Sequence, residues 1–170
     1  MTLLSKKTYE ESTSLTWFQE MRQKAKARFE KIGFPTDDSE TWKYINLSTI
    51  LKTDFDPSRE GKVELPSSER LEKYFLAEGM SARLVFSNGK YSKELSHFPE
   101  LPKGVIIENL KDALKNYPDL VKRYLAKGID EEADGFAAIN TLNFSEGVFV
   151  YVPEGIRLSF PVQILLLTSE

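Results

Sequence analysis

The stretch Glu146-Gly147-Val148-Phe149-Val150-Tyr151-Val152-Pro153-Glu154-Gly155, followed by Phe160-Pro161-Val162-Gln163-Ile164-Leu165-Leu166-Leu167, is the most apolar and strand-prone part of the chain. Val148, Val150 and Val152 alternate with Phe149 and Tyr151, so a strand here turns valines to one face and rings to the other. Pro153-Glu154-Gly155 reads as a turn. Pro161 opens the second strand, where a missing N–H costs no ladder bond. Ile164 to Leu167 is apolar on both faces and expects cover on both. Only three residues follow Leu167, too few for a neighbouring strand or a covering layer. Two expectations result. The protein continues past Glu170, and Phe160 to Leu167 is covered by folding back on the helices or by a second copy. The second copy would make a homodimer through the exposed C-terminal strands.

Upstream, the period changes from two to between three and four. Phe18, Met21, Ala25, Phe29 and Ile32 form one apolar stripe, which predicts a helix from Leu15 to Ile32. Thr16 and Gln19 have capping-box spacing, Gly33 supplies a left-handed stop and Pro35 prevents resumption. Trp42 and Tyr44 are expected to anchor a loop on that helix with their polar tips wet. Asn46 to Leu51 reads as a short helix and Asp54 to Pro66 as a connector. A further helix is expected over Glu69 to Glu78, with Leu71, Tyr74 and Phe75 inward and Gly79 as its stop. Asn88-Gly89 between Ala82–Ser87 and Lys90–Lys93 is a hairpin signal, because a type I′ turn needs positive φ at both central residues. Gly104 to Glu108 reads as a buried strand. Asn109 is placed to cap a helix through Leu114, with Asp112 at the third position. Helices are expected over Asp119–Lys127, behind Pro118, and over Gly135–Leu142.

This pattern is α+β, in three consecutive parts: a helical module over 1–79, a small mixed segment with a hairpin over 80–143, and the strands of 144–170. Net charge is −3, so no strong overall field recruits nucleic acid or anionic membrane. No apolar run approaches the roughly 20 residues of a bilayer span. The chain has no cysteine, which excludes disulfides and thiolate chemistry within these residues and fits a cytoplasmic location.

Chemistry-bearing residues are sparse. His97 is the one histidine and reads as a loop residue before Phe98-Pro99. Asp130, Glu131, Glu132 and Asp134 form an acidic loop that suits a hard cation less than it suits solvent. There is no phosphate-cradling glycine loop and no nucleophile elbow. The first helix carries Arg22, Lys24, Lys26, Arg28 and Lys31 opposite its apolar stripe. They form either a solvated side neutralised by Glu20 and Glu30, or a face for nucleic acid or an anionic surface.

Trp17-Phe18 at the head of the first helix, Gly33-Phe34-Pro35-Thr36, and Glu40-Thr41-Trp42-Lys43-Tyr44 together resemble the amino-terminal region of the SufD branch of the SufB/SufD family, which serves iron–sulfur cluster assembly. The family commonly has threonine where this chain has Ile45. Phe136-Ala137-Ala138-Ile139-Asn140-Thr141-Leu142-Asn143 with Gly147 to Pro153 resembles the approach to the family's β-helical core. Phe160-Pro161-Val162-Gln163-Ile164 does so too. These motifs occur in the right order at both ends, while Asp54 to Lys127 carries none. The SufB branch shares the core approach more than the Trp-Lys-Tyr segment.

The resemblance implies that 144–170 holds the first strands of a right-handed parallel β-helix. It implies a non-catalytic scaffold region, with a SufB-like subunit and a SufC-like ATPase as partners of the full-length protein, and with neither nucleic acid nor membrane. The histidine and cysteine positions implicated in cluster building lie outside these residues. No catalytic, cofactor-binding or metal-binding residue is therefore carried over, and His97 matches none. The rival reading is a nucleic-acid or anionic-surface module using the basic face of the first helix. A small enzyme built on Asp130 to Asp134 ranks last, for want of a base and a nucleophile.

Overall fold

The computed structural model describes residues 15–36, 42–52, 71–76, 80–128 and 135–168. In chain order the elements are α1 (Thr16–Ile32), α2 (Ser48–Lys52), β1 (Ala82–Ser87), β2 (Lys90–His97), β3 (Ile106–Asn109), α3 (Leu110–Asn116), α4 (Pro118–Tyr124), α5 (Gly135–Asn143), β4 (Val148–Tyr151) and β5 (Val162–Leu167). They form two compact units. One is Met1–Arg59 with Tyr117–Ser145, and the other is Glu60–Asn116 with Glu146–Glu170. The units are interleaved along the chain, whereas the sequence reading cuts it into three consecutive parts.

The first unit is helical. Phe18, Ala25 and Phe29 are the buried stripe of α1, and Ala138, Thr141 and Leu142 are buried on α5, against which α1 packs. Gly135 permits a close approach, since a Cβ there would overlap the Gly33 carbonyl. Phe29, Phe34, Phe136 and Trp42 stack in series, with ring centroids 4.8, 5.2 and 5.0 Å apart. Trp42 thus anchors on α5 rather than directly on α1. Tyr44 is 92 % exposed and anchors nothing among the described residues. The capping box expected at Thr16 is absent. The cap position is Leu15, whose side chain cannot accept a hydrogen bond, and Thr16 is already the first helical residue. Gly33, with φ 65°, ends α1 as expected. Pro118 opens α4, but that helix stops at Tyr124, short of Gly128, because Leu125 leaves the helical conformation with ψ 132°, and Ala126 follows with φ 56°.

The second unit holds two sheets. β1 is the centre of a three-stranded sheet in the order β2-β1-β5, and β3 pairs with β4. Asn88 and Gly89, with φ 47° and 79°, make the expected hairpin turn between β1 and β2. The register then shifts between Val85↔Ser92 and Arg83↔His97. Ser96 occupies the irregularity. Its hydroxyl accepts the Val85 N–H at 3.0 Å and donates to the Ser92 carbonyl at 2.6 Å. β2 therefore runs on to His97, which ends a strand rather than lying in a loop.

β5 pairs with β1 in parallel over its whole length, from Ala82↔Val162 to Ser87↔Leu167. The neighbour thought missing from the sequence comes from the middle of the chain. This pairing covers one edge of β5 without the helices expected to do so. β4 and β5 lie in different sheets, and β4 is antiparallel to β3. The two strands are not successive members of one sheet.

Ala82, Leu84 and Phe86 bury one face of β1 in a cluster with Val105, Ile107 and Phe160. Val148, Leu158 and Val162 pack against that cluster. On the other face of the sheet, residues 71–76 cross Arg83 and Gln163. The Phe75 ring lies 3.4 Å from the Arg83 guanidinium carbon. Of the helix expected over 69–78, Leu71 and Glu72 are helical and the chain then leaves through turns, Tyr74 N–H to Leu71 O and Phe75 N–H to Glu72 O, while 69–70 and 77–78 lie outside the described residues. Leu71 is buried as predicted, but Tyr74 points out. The Tyr74 carbonyl and the Leu76 N–H bond the Gln163 side chain, so they are not free to continue a helix.

Candidate functional site

A cleft of about 440 Å³ opens in the second unit between β2, β3 and α3. Tyr91, Phe98 and Ile107 give its apolar lining; Lys93, Glu108 and Asp112 give its charges; Ser96, Asn109 and Asn116 complete it. Its polar groups are mostly engaged. The Asn109 amide donates to Asp112 Oδ2 at 2.6 Å, and Asn109 Oδ1 accepts the Asp112 N–H at 3.0 Å. This is the cap expected at Asn109, with aspartate at the third position. The Asn116 amide donates to Glu108 Oε2 at 3.1 Å, tying the end of α3 to β3. Ser96 is held by the β1–β2 irregularity, with its hydroxyl proton given to the Ser92 carbonyl. The lining fixes a strand–helix junction and holds no acid–base pair.

Beside it, Glu146 is the perturbed carboxylate. Burial raises its pKa above the usual range; Lys111 opposes this, Asp112 adds repulsion, and Lys90 opposes weakly. Its Oε2 is buried without a hydrogen-bond partner among the described residues. Arg83, on the sheet, has its pKa lowered by burial.

The residues singled out in the sequence do not converge. His97 ends β2, exposed, across from Arg83. Asp130, Glu131, Glu132 and Asp134 lie outside the described residues. Among the described residues no three His, Cys, Asp or Glu side chains gather where they would hold a metal ion, and no helix is long and apolar enough to cross a membrane. The basic face of α1 is broken up by packing. The Arg22 guanidinium donates to the Phe144 carbonyl at 2.7 Å and lies 4.6 Å from the Phe18 ring centroid. Lys26 pairs with Glu30 at 4.0 Å on the exposed side. That pairing matches the solvated-side reading.

An apolar strand edge is the surface that stands out. β5 is an edge strand among the described residues, with Ile164 51 % and Leu166 72 % exposed. Both lie on the face that in β1 carries buried Leu84 and Phe86. Among the described residues, one of the two faces expected to be covered over Ile164 to Leu167 is therefore left exposed at Ile164 and Leu166. Sequence reasoning missed the roles of Gln163 and Arg83. The signal was present, since Gln163 is the one polar residue in Val162–Leu167.

Residues 4–164 match the family described as the SufBD protein N-terminal region. Three relatives are named iron–sulfur cluster assembly SufBD family proteins. One from Synechocystis is 28 % identical over 147 residues, covering 86 % of this chain and 32 % of its own. One from Arabidopsis thaliana is 26 % identical over 162 residues, covering 86 % and 34 %. One from Staphylococcus aureus is 30 % identical over 102 residues, covering 60 % and 20 %. The chain spans about a third of the length of the first two.

Proposed function

The chain belongs to the SufB/SufD family of iron–sulfur cluster assembly proteins, and from that premise we propose that it is the amino-terminal scaffold region of a SufD-type subunit. It has no catalytic residues of its own and holds no cofactor, and the iron–sulfur cluster is cargo handled elsewhere in the complex. In the longer protein the sheet around β1 and β5 extends into a right-handed parallel β-helix. A SufB-like subunit and a SufC-like ATPase are the partners, in the cytoplasm.

The observation that carries this reading is the parallel pair β1–β5 with the outer edge of β5 unpaired among the described residues beside Ile164 and Leu166. Parallel pairing with an apolar, unpaired edge suits a sheet that takes further strands.

The test is anaerobic reconstitution of the purified chain with ferrous iron and sulfide, followed by desalting. We expect iron well below one equivalent per chain. Tight, stoichiometric iron would overturn the non-catalytic reading. Co-expression of the longer protein with a SufB-like subunit and a SufC-like ATPase should yield one co-purifying complex, and separate elution would overturn the partner assignment.

A further inference from the structure

Gln163 sits in the middle of an apolar strand and is buried. Both ends of its amide are used. Nε2 donates to the Tyr74 carbonyl at 2.7 Å, and Oε1 accepts the Leu76 N–H at 3.2 Å. The carbonyl of one residue and the N–H of the second residue after it are the pair an extended backbone offers to a neighbouring strand. A side-chain amide carries the same donor and acceptor, so Gln163 stands in for a strand at this point. Residues 74–76 are bound through their backbone. The Phe75 ring turns toward Arg83, while the Tyr74 and Leu76 side chains face solvent.

This arrangement depends on the placement of β5. Gln163 faces residues 74–76 because it is opposite Arg83 in the parallel ladder. A slip of one residue brings Val162 or Ile164 opposite Arg83 and turns Gln163 to the other face. Neither Val162 nor Ile164 can bond the Tyr74 carbonyl or the Leu76 N–H, which would then lie unpaired against the sheet. The rest of β5 specifies register weakly, because Ile164, Leu165, Leu166 and Leu167 are nearly interchangeable across a one-residue slip.

We infer that Gln163 is a register lock: it closes residues 74–76 over the sheet only when β5 is docked on β1 in the observed register, so closure of this strap reports the docking of β5. A strap that opens and closes with β5 gives the edge strand a conformational readout on the opposite face of the sheet.

Amide hydrogen exchange on the intact 170-residue chain tests this. Gln163→Leu keeps the volume and removes both bonds; Gln163→Glu keeps an acceptor for Leu76 and loses the donor to Tyr74. We expect the Leu76 amide to exchange about tenfold faster or more in Gln163→Leu, with Gln163→Glu between it and the wild type. The β3 and β4 amides should stay within about twofold in both variants. Unchanged Leu76 exchange in Gln163→Leu would overturn the lock, as would uniform acceleration of every amide. If Gln163→Leu does not fold, Gln163→Glu decides: faster exchange at Leu76 with β3 and β4 unchanged supports the lock, and no difference at Leu76 overturns it.

Discussion

β1 and β5 are neighbours of equal length in one sheet, and their fates are opposite to their compositions. β5 reads Val-Gln-Ile-Leu-Leu-Leu and β1 reads Ala-Arg-Leu-Val-Phe-Ser, so β5 is the more aliphatic. Yet Leu84 of β1 is fully buried, and its parallel partner Ile164 is half exposed. The cause is position. β1 has a strand on each side, an apolar cluster on one face and residues 71–76 on the other. Among the described residues β5 has one neighbour, and the cluster reaches as far as Val162. Hydrophobicity shows what a strand can bury, while the sheet order decides what it does bury.

Large-to-small substitutions should sharpen that contrast. Leu84→Ala removes a side chain from the centre of the cluster and should cost about 2–5 kcal/mol in urea unfolding. A loss under about 1 kcal/mol would mean that β1 is not the core strand. Asn109→Ala removes the cap of α3 at the edge of the same unit and should cost about 1 kcal/mol. An unchanged unfolding midpoint would show that the Asn109–Asp112 exchange contributes nothing to stability. Leu166→Ala, at the exposed end of β5, should stay within about 0.5 kcal/mol of the wild type. A cost comparable to that of Leu84→Ala would show Leu166 covered in solution and break the comparison.

The smallest effect is one of sign, at Glu146. Burial raises its folded-state pKa above the unfolded value, so the native state binds the proton more tightly. Its contribution to stability is fully present below the unfolded pKa and is lost as pH rises through the folded one. Glu146→Gln should therefore flatten the fall in stability above the ordinary carboxylate range, where the variant should be at least as stable as the parent. A variant less stable than the parent at neutral pH would contradict the sign.

Local rules carried far into this fold. Asn88-Gly89 dictated its turn, Gly33 ended α1, and Asn109 with Asp112 capped α3, because each is decided by backbone chemistry within four residues. Long-range choices were not legible. Nothing near Val162 indicates that its partner is Ala82, and the resulting parallel pair supplied the neighbour that a reading of adjacent residues could not find. Nor does anything near Glu72 show that the helix leaves off there, where the Tyr74 carbonyl and the Leu76 N–H turn to the Gln163 side chain. At the candidate site the sequence identified the apolar character of the final strand. It could not place the free edge, which depends on strand order.

The most direct test is hydrogen exchange of the Val162–Leu167 amides that point away from β1, measured in this chain and in the same region within a SufB/SufD protein of full family length. If this region is a scaffold whose sheet takes further strands at β5, those amides exchange freely in the 170-residue chain and become protected in the longer protein. Equal rates in the two, whether fast or slow, would contradict the claim that the open edge of β5 is where this region joins the rest of the assembly.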